Sequence, residues 1–157
     1  MISRVGLGVI LLAVLLVLVS TGCSGVSTYQ KSIYSDDTKI SNSADSYYFG
    51  DRIGGIQDNK LSLTFGSFYG KQTIWTLQAE QKSTINLDLE ISVEQGQFKV
   101  CSVNPDKQVS VISEGADNRN VSFDLPEGKS FIVIVGNNAN GRINMIINTD
   151  ENVKISS

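Results

Sequence analysis

Regular alternation of apolar and polar residues is the feature that most limits how this chain can fold. It is clearest between residues 84 and 93, where every second residue is aliphatic: Ile85, Leu87, Leu89, Ile91 and Val93. Successive side chains on a strand point to opposite faces, so this run predicts a strand with one buried and one solvated face. Shorter runs of the same period recur between residues 60 and 149, for example in Leu61–Phe65 and Ile143–Ile147.

Residues typical of tight turns separate the strand-like runs. They lie at Gly66–Gly70, Glu94–Gly96, Asn104–Lys107, Pro126–Gly128 and Asn137–Gly141. Short connections can join antiparallel strands but not parallel ones. The sequence therefore predicts an all-β fold, a small antiparallel β-sandwich of jelly-roll-like type with about eight strands over residues 60–150, followed by a polar tail over residues 151–157.

Two segments depart from simple alternation. Phe131–Val135 contains five consecutive apolar residues, so both of its faces need cover. The aromatic stretch within residues 47–56 could supply that cover as a short strand or lid, and so could the surface of a partner. In Phe98–Val103 the alternation slips between Val100 and Cys101, which predicts a β-bulge or a strand buried on both faces near its end.

The first 22 residues have the composition of a secretory signal peptide. Arg4 precedes an apolar run from Val5 to Val19, and small residues follow at positions 20–22. A run of about 15 residues is shorter than the about 20 that a membrane-spanning helix needs. We therefore expect residues 1–22 to direct export and to be removed. The alternatives are a leader cut elsewhere and a leader left uncleaved as a signal anchor with Arg4 inside.

The end of this leader, Val19-Ser20-Thr21-Gly22-Cys23, resembles the lipobox of bacterial lipoproteins. The resemblance implies cleavage before Cys23 and a diacylglycerol attached to its thiol. Two acyl chains hold a protein stably on a bilayer, whereas one does so only marginally. The expected location is the extracytoplasmic face of a bacterial cell membrane, or the outer membrane if the cell is Gram-negative, because Ser24 rather than an aspartate follows the cysteine.

The segment from residue 23 to residue 59 is polar, rich in Ser, Asp, Asn and Thr and poor in aliphatic residues. Such a composition buries too little apolar surface to offset the entropy of ordering. We expect most of it to be a flexible tether between the lipid and the sandwich.

Charge and cysteine content exclude several functions. The formal net charge is −3 and the basic residues are scattered, so no nucleic acid partner is expected. The chain has two cysteines. If Cys23 carries lipid, Cys101 has no disulfide partner, and we predict that it packs as a small apolar residue.

Catalytic machinery is scarce. The chain contains no histidine, which removes Ser-His-Asp and Cys-His catalysis and histidine-bound zinc. No catalytic, cofactor or metal site is predicted, and the protein is expected not to be an enzyme. Asp88 and Glu90 share one strand face about 7 Å apart, which leaves a carboxylate-dependent hydrolase as a remote alternative to a solvated face. Asp117–Asn120, near Glu114, could supply oxygen ligands for a calcium ion; the alternative is a plain polar turn without an ion.

Aromatic residues supply the candidate contacts with a ligand or partner. Phe68 and Tyr69 occupy a glycine-flanked turn, where burial is difficult, and large aromatic side chains often dominate binding surfaces. Trp75 shares its strand face with Leu77 and Ala79, which predicts core packing.

A second resemblance concerns Val103–Lys107 and Leu125–Val133, whose strand–turn–strand pattern is similar to pre-peptidase C-terminal-type β-sandwich modules. That resemblance implies a non-catalytic accessory module. The sequence thus predicts a lipid-anchored sandwich that binds an envelope protein or organises the cell envelope. The alternative is a glycan-binding module using Phe68, Tyr69 or Trp75.

Overall fold

The computed structural model describes residues 25–157; the leader and the expected lipid attachment at Cys23 lie outside the described residues. Two short helices, α1 (Thr28–Ser32) and α2 (Asp37–Ile40), come first. Eight strands follow: β1 (Ser46–Tyr48), β2 (Asp51–Gln57), β3 (Lys60–Ala79), β4 (Ser83–Val103), β5 (Val109–Glu114), β6 (Asp117–Leu125), β7 (Gly128–Asn148) and β8 (Val153–Ser156). All strand pairs are antiparallel, so the predicted all-β fold with about eight strands is confirmed. Five of the eight, β3 to β7, lie within the predicted range of residues 60–150, and β1, β2 and β8 lie outside it. Within residues 25–157, no helix has the length and apolarity needed to span a bilayer.

Three long strands, β3, β4 and β7, of 20 or 21 residues each, run through the whole domain. β7 lies between β3 and β4 along nearly all of its length. Near their midpoints the three strands bend together, which divides the sheet into two layers. The first layer contains residues 60–66, 83–93 and 141–148 of these strands, flanked by β2 and β6. The second contains residues 68–79, 95–103 and 128–139, flanked by β5 on one side and by β1 and β8 on the other.

The bends coincide with three of the five stretches predicted as turns, and that prediction is wrong for Gly66–Gly70, Glu94–Gly96 and Asn137–Gly141. The strand pairing shifts register there instead of reversing. Ser67 and Asn138 adopt φ values of 48° and 51°, and Gly70 adopts 94°. Residues that favour a positive φ serve a bulge as well as a hairpin, so local sequence did not separate the two.

The core lies between the two layers and draws on both of them. Leu63, Leu87 and Met145 from the first layer join Ile134 from the second in one buried cluster. Trp75 of the second layer is fully buried, and its indole donates a hydrogen bond of 3.0 Å to the carbonyl of Asp58 at the β2–β3 turn of the first layer. The predicted packing of Trp75 in the core is therefore confirmed, and the domain is a sandwich made from one folded sheet.

The segment predicted as a tether is structured from residue 27 onward, so the boundary predicted at residue 60 is also too late. Residues 27–45 lie on the outer face of the second layer, where Ile33, Tyr34 and Ile40 pack on Cys101 and three valines of β4 and β7: Val103, Val133 and Val135. These three large side chains help to dock the segment, although its overall composition is polar. β1 and β2 then pair with β3.

A buried lysine fixes this segment to the sheet. Lys71 of β3 is 2% exposed, and its Nζ donates to the carbonyl of Asn42 over 2.6 Å and lies 3.1 Å from the Asp45 carboxylate. The same carboxylate accepts from the backbone and hydroxyl of Thr73 at 2.9 and 2.7 Å. Ser27 begins α1 with a reciprocal capping box to Gln30, which satisfies backbone donors that a short helix would otherwise leave open.

The stretch Phe131–Val135 is covered on both faces, as its composition requires. Ile132 and Ile134 face the core, whereas Val133 and Val135 lie under the segment that contains Ile33 and Ile40. The cover is therefore this segment and neither residues 47–56 nor a partner. The bulge predicted between Val100 and Cys101 is confirmed by the register shift at that point. The predicted polar tail over 151–157 instead contains β8, which pairs with the end of β3.

Candidate functional site

The outer face of the first layer carries an open polar groove, which we call the amide groove. Its volume is about 300 Å³, at the lower end of the about 300–1,000 Å³ range of small-molecule sites. Side chains of β4, β6 and β7 line it: Asp88, Glu90, Asn118, Arg119, Asn120, Asn144 and Ile146.

Strand register places these side chains in two rows across the sheet. Glu90 of β4 lies opposite Asn144 of β7 on one side and Asn118 of β6 on the other. Asp88 lies in the next row, opposite Ile146 and Asn120. Directly paired residues share a face and have neighbouring Cβ atoms, so the polar groups converge. They are the polar half of the alternation whose apolar half builds the core.

Hydrogen bonds between neighbours hold the groove side chains in place. The Ser62 hydroxyl donates to the Asn144 side-chain carbonyl over 2.8 Å, and the Asn144 amide donates to the Glu90 carboxylate over 3.0 Å. In the second row the Asn120 amide donates to the Asp88 carboxylate. Each carboxylate thus has an amide partner, and each keeps further lone pairs for a ligand.

The floor and the rim of the groove differ in character. Half-buried Ile146 gives an apolar patch among the polar groups. Arg119 on the rim is directed toward β5, because its Nε donates to the Asp117 carboxylate over 2.7 Å and its Nη2 donates to the carbonyl of Ile112 over 2.8 Å. Arg142 lines a smaller extension of about 180 Å³ next to Glu90. The surface therefore offers donors, acceptors and a small apolar contact together.

The residues proposed as calcium ligands, Asp117–Asn120, do not form the loop that the calcium alternative needs. These residues begin β6 and do not form a loop. The hydroxyl of Ser113, at 2.7 Å, and the guanidinium of Arg119 hold the pKa of Asp117 below its usual value. The Arg119 guanidinium therefore already occupies one side of the Asp117 carboxylate. Among residues 25–157, no three His, Cys, Asp or Glu side chains come together as metal ligands.

The aromatic residues predicted as contacts, Phe68 and Tyr69, lie outside the amide groove, and their side chains differ in exposure. Phe68 is fully buried, stacked on Phe49 with ring centroids 4.4 Å apart. The prediction of Phe68 as a contact residue is therefore wrong, because the bend turns its side chain into the core. Tyr69 is half-buried and pairs with Tyr48 across β1 and β3. Neither Phe68 nor Trp75 can take part in stacking a sugar.

Cys101 lies beneath the N-terminal segment with no exposed surface. Burial raises the pKa of its thiol to about 12. A neutral, inaccessible thiol is a packing group, which agrees with the prediction of a small apolar residue.

Sequence reasoning found Asp88 and Glu90 but missed the amides around them. The sequence pattern indicates Asn118 and Asn120 only as calcium ligands and does not single out Asn144. The available signal was that Asn144 is the polar residue between Ile143 and Met145 in an alternating strand. Knowing that β7 lies between β3 and β4 was needed to place it beside Glu90.

Comparisons with known proteins give no family. No family model matches the chain, and no curated protein matches it either. Solved structures with some likeness include a family 29 carbohydrate-binding module (9% identity, TM-score 0.36, 68% of this chain and 79% of that one). Another is the carbohydrate-binding module BiXyn10A CBM1 (8%, 0.39, 76% and 94%).

An exo-β-1,3-galactanase from Phanerochaete chrysosporium, solved with galactose, has 14% identity and a TM-score of 0.38. The match covers 68% of this chain and only 30% of the galactanase. TM-scores below 0.5 are too low to assign a shared family or function.

Proposed function

We propose that this protein is a non-catalytic, lipid-anchored module of the bacterial envelope that binds a glycan in the amide groove. The observation that carries the proposal is the set of carboxylates and amides of Asp88, Glu90, Asn120 and Asn144, held in position around the apolar floor of Ile146. A sugar ring presents hydroxyls around its edge and C–H groups on its faces. The carboxylates and amides of the groove can hydrogen-bond to the hydroxyls, and Ile146 can contact the C–H groups.

A protein partner, the first expectation from sequence, receives less support. The apolar stretch expected to face such a partner, Phe131–Val135, is covered by the chain's own residues 33–40. The groove is concave and polar, whereas the centre of a protein interface is depleted in charged residues. A small polar ligand therefore fits this surface better.

Absence of catalysis is part of the same proposal. The groove is shallow and open, so water would reach any bond placed between Asp88 and Glu90. Both carboxylates are exposed, and each accepts a hydrogen bond from an asparagine. In glycosidases the two carboxyl groups flank the bond that breaks, whereas Asp88 and Glu90 lie side by side on one face of β4.

Affinity for glycans tests the site. Purified protein is titrated calorimetrically with a panel of soluble oligosaccharides, followed by variants with either Asn144→Ala or Glu90→Gln. Loss of a hydrogen bond to a buried or charged ligand group costs about 1–3 kcal/mol, which corresponds to about 5- to 150-fold in Kd. Asn148→Ala, on the same face of β7 but outside the groove, is the control. Equal binding by all three variants, or none by the wild type across the panel, contradicts the site.

Lipid attachment is tested separately. Cells that express the full chain are labelled with radioactive palmitate, in parallel with cells that express Cys23→Ala. We expect label only in the wild-type chain. Label in both chains, or in neither, contradicts the anchor and leaves the glycan test unaffected.

A further inference from the structure

Exposed aromatic side chains concentrate at one edge of the second layer. Tyr29, Tyr47 and Tyr48 are 42%, 40% and 37% exposed, and no phenylalanine or tryptophan of the described residues is as exposed. α1 lies against β1 and β3, so the elements that carry these rings are neighbours. Tyr47 points to the core side of β1, where its ring lies 5.6 Å from that of Phe49. Tyr48 points to the outer face of the second layer, on which the segment with α1 lies. We call Tyr29 and Tyr48 the tyrosine edge.

The tyrosine edge lies close to the expected lipid attachment. Three residues separate Cys23 from Ser27, where the structured helix cap begins. Four backbone steps reach at most about 14 Å. Because Ile33, Ile40 and Lys71 dock the following residues on the sheet, α1 cannot swing away from the domain. The acyl chains therefore enter the bilayer within a short distance of Tyr29.

Tyrosine suits the boundary between lipid and water, since its ring is apolar and its hydroxyl remains hydrated. Lys39 lies 5.4 Å from the centroid of the Tyr29 ring and pairs with Asp36 at 3.3 Å, so this ion pair offsets the charge nearest to the ring. An edge of this kind contacts headgroups through its rings and needs no anionic lipid.

We propose that the tyrosine edge rests on the lipid surface to which Cys23 attaches the chain, so that the amide groove faces away from the membrane. The proposal depends on the lipid anchor of the proposed function but not on glycan binding. It replaces a freely moving domain on a long tether with a domain held close to the bilayer in one orientation.

Two cysteine reporters test this orientation. Ala44→Cys places a thiol in the exposed chain just before β1, and Ser122→Cys places one on the outer face of the first layer. Each variant of the full lipidated chain is labelled with bimane. Buried Cys101 and acylated Cys23 do not compete for the label. The protein is then reconstituted into phosphatidylethanolamine–phosphatidylglycerol vesicles that contain a lipid spin-labelled at its headgroup.

We expect the spin-labelled lipid to quench bimane at position 44 several-fold more than at position 122. The double change Tyr29→Ser and Tyr48→Ser should reduce quenching at position 44, whereas Ile53→Ser, which removes a side chain 75% exposed on β2, should not. Equal quenching at both positions, or stronger quenching at position 122, overturns the orientation. Protein mass and co-sedimentation with vesicles report the anchor independently, so a missing lipid is not mistaken for a different orientation.

Discussion

Replacing Gly136 by alanine tests the packing that removes Phe68 from the surface. Gly136 lies on β7 directly against the Phe68 ring, and a Cβ built there would collide with Cδ1 and approach Cε1 and Cγ to 2.8 and 2.9 Å. The ring has little room to retreat, because it stacks on Phe49 and meets the edge of Phe65 with centroids 5.8 Å apart. The glycine does not adopt a positive φ, so the penalty comes from packing alone.

The expected magnitude follows from two opposing effects. Overpacking a tight core costs about 1–3 kcal/mol, while replacing a glycine in an allowed conformation returns about 0.4–1 kcal/mol through the unfolded chain. We expect a net destabilisation of about 1–2 kcal/mol. Gly55→Ala is the matched control, since no atom lies within 4 Å of its Cβ and its φ is not positive. It should be neutral or slightly stabilising.

Urea unfolding, monitored by the fluorescence of Trp75 and by circular dichroism, measures both variants. Phe68→Leu, alone and combined with Gly136→Ala, completes a double-mutant cycle. Residues in contact couple by about 0.5–3 kcal/mol, so the double variant should be more stable than the sum of the single effects predicts. If Gly136→Ala matches Gly55→Ala, or the two changes add without coupling, Phe68 is not packed as described and returns as a candidate surface contact.

Four further predictions concern the second layer and its cover. Lys71→Met should cost about 1.5–3 kcal/mol and speed amide exchange over residues 27–45, whereas Lys154→Met, which removes an exposed pair 3.5 Å from Glu80, should change stability by less than about 0.5 kcal/mol. Cys101 should react with iodoacetamide at pH 8 about 1,000-fold more slowly in the folded than in the unfolded chain, because burial raises its pKa from 9.0 to about 12. The stability that this thiol contributes is complete below pH 9 and lost as the pH rises through about 12, so a Cys101→Ala variant should show a weaker loss in that window. Trp75→Phe should cost about 1–3 kcal/mol by calorimetry, chiefly through the indole hydrogen bond.

Alternation predicted the faces of the strands well. Ile85, Leu87, Leu89 and Ile91 are all buried, as their period of two requires. The alternation does not indicate that a strand continues through a bend. Ser67 and Asn138 satisfy the local chemistry of a turn, and only the pairing with a neighbouring long strand makes each of them part of a bulge.

The N-terminal segment and the amide groove escaped prediction for related reasons. The polar average composition of residues 23–59 predicts a tether, whereas docking depends on single residues such as Ile33 and Ile40 and on the buried Lys71, 29 positions from its acceptor Asn42. The groove assembles Glu90, Asn118 and Asn144 from three strands distant in sequence. Each one, taken alone, is an ordinary polar residue on a solvated face.

The continuity of β3, β4 and β7 through both layers has a consequence for how the domain can be cut. A break at the bends would cut all three central strands, and neither half would keep the full lengths of the strands that pair with one another. Fragments, split reporters and circular permutants should therefore fail when divided there and succeed at the sandwich ends, for instance at the exposed turn of residues 104–107. For the same reason, heat or urea should dismantle both layers in a single transition.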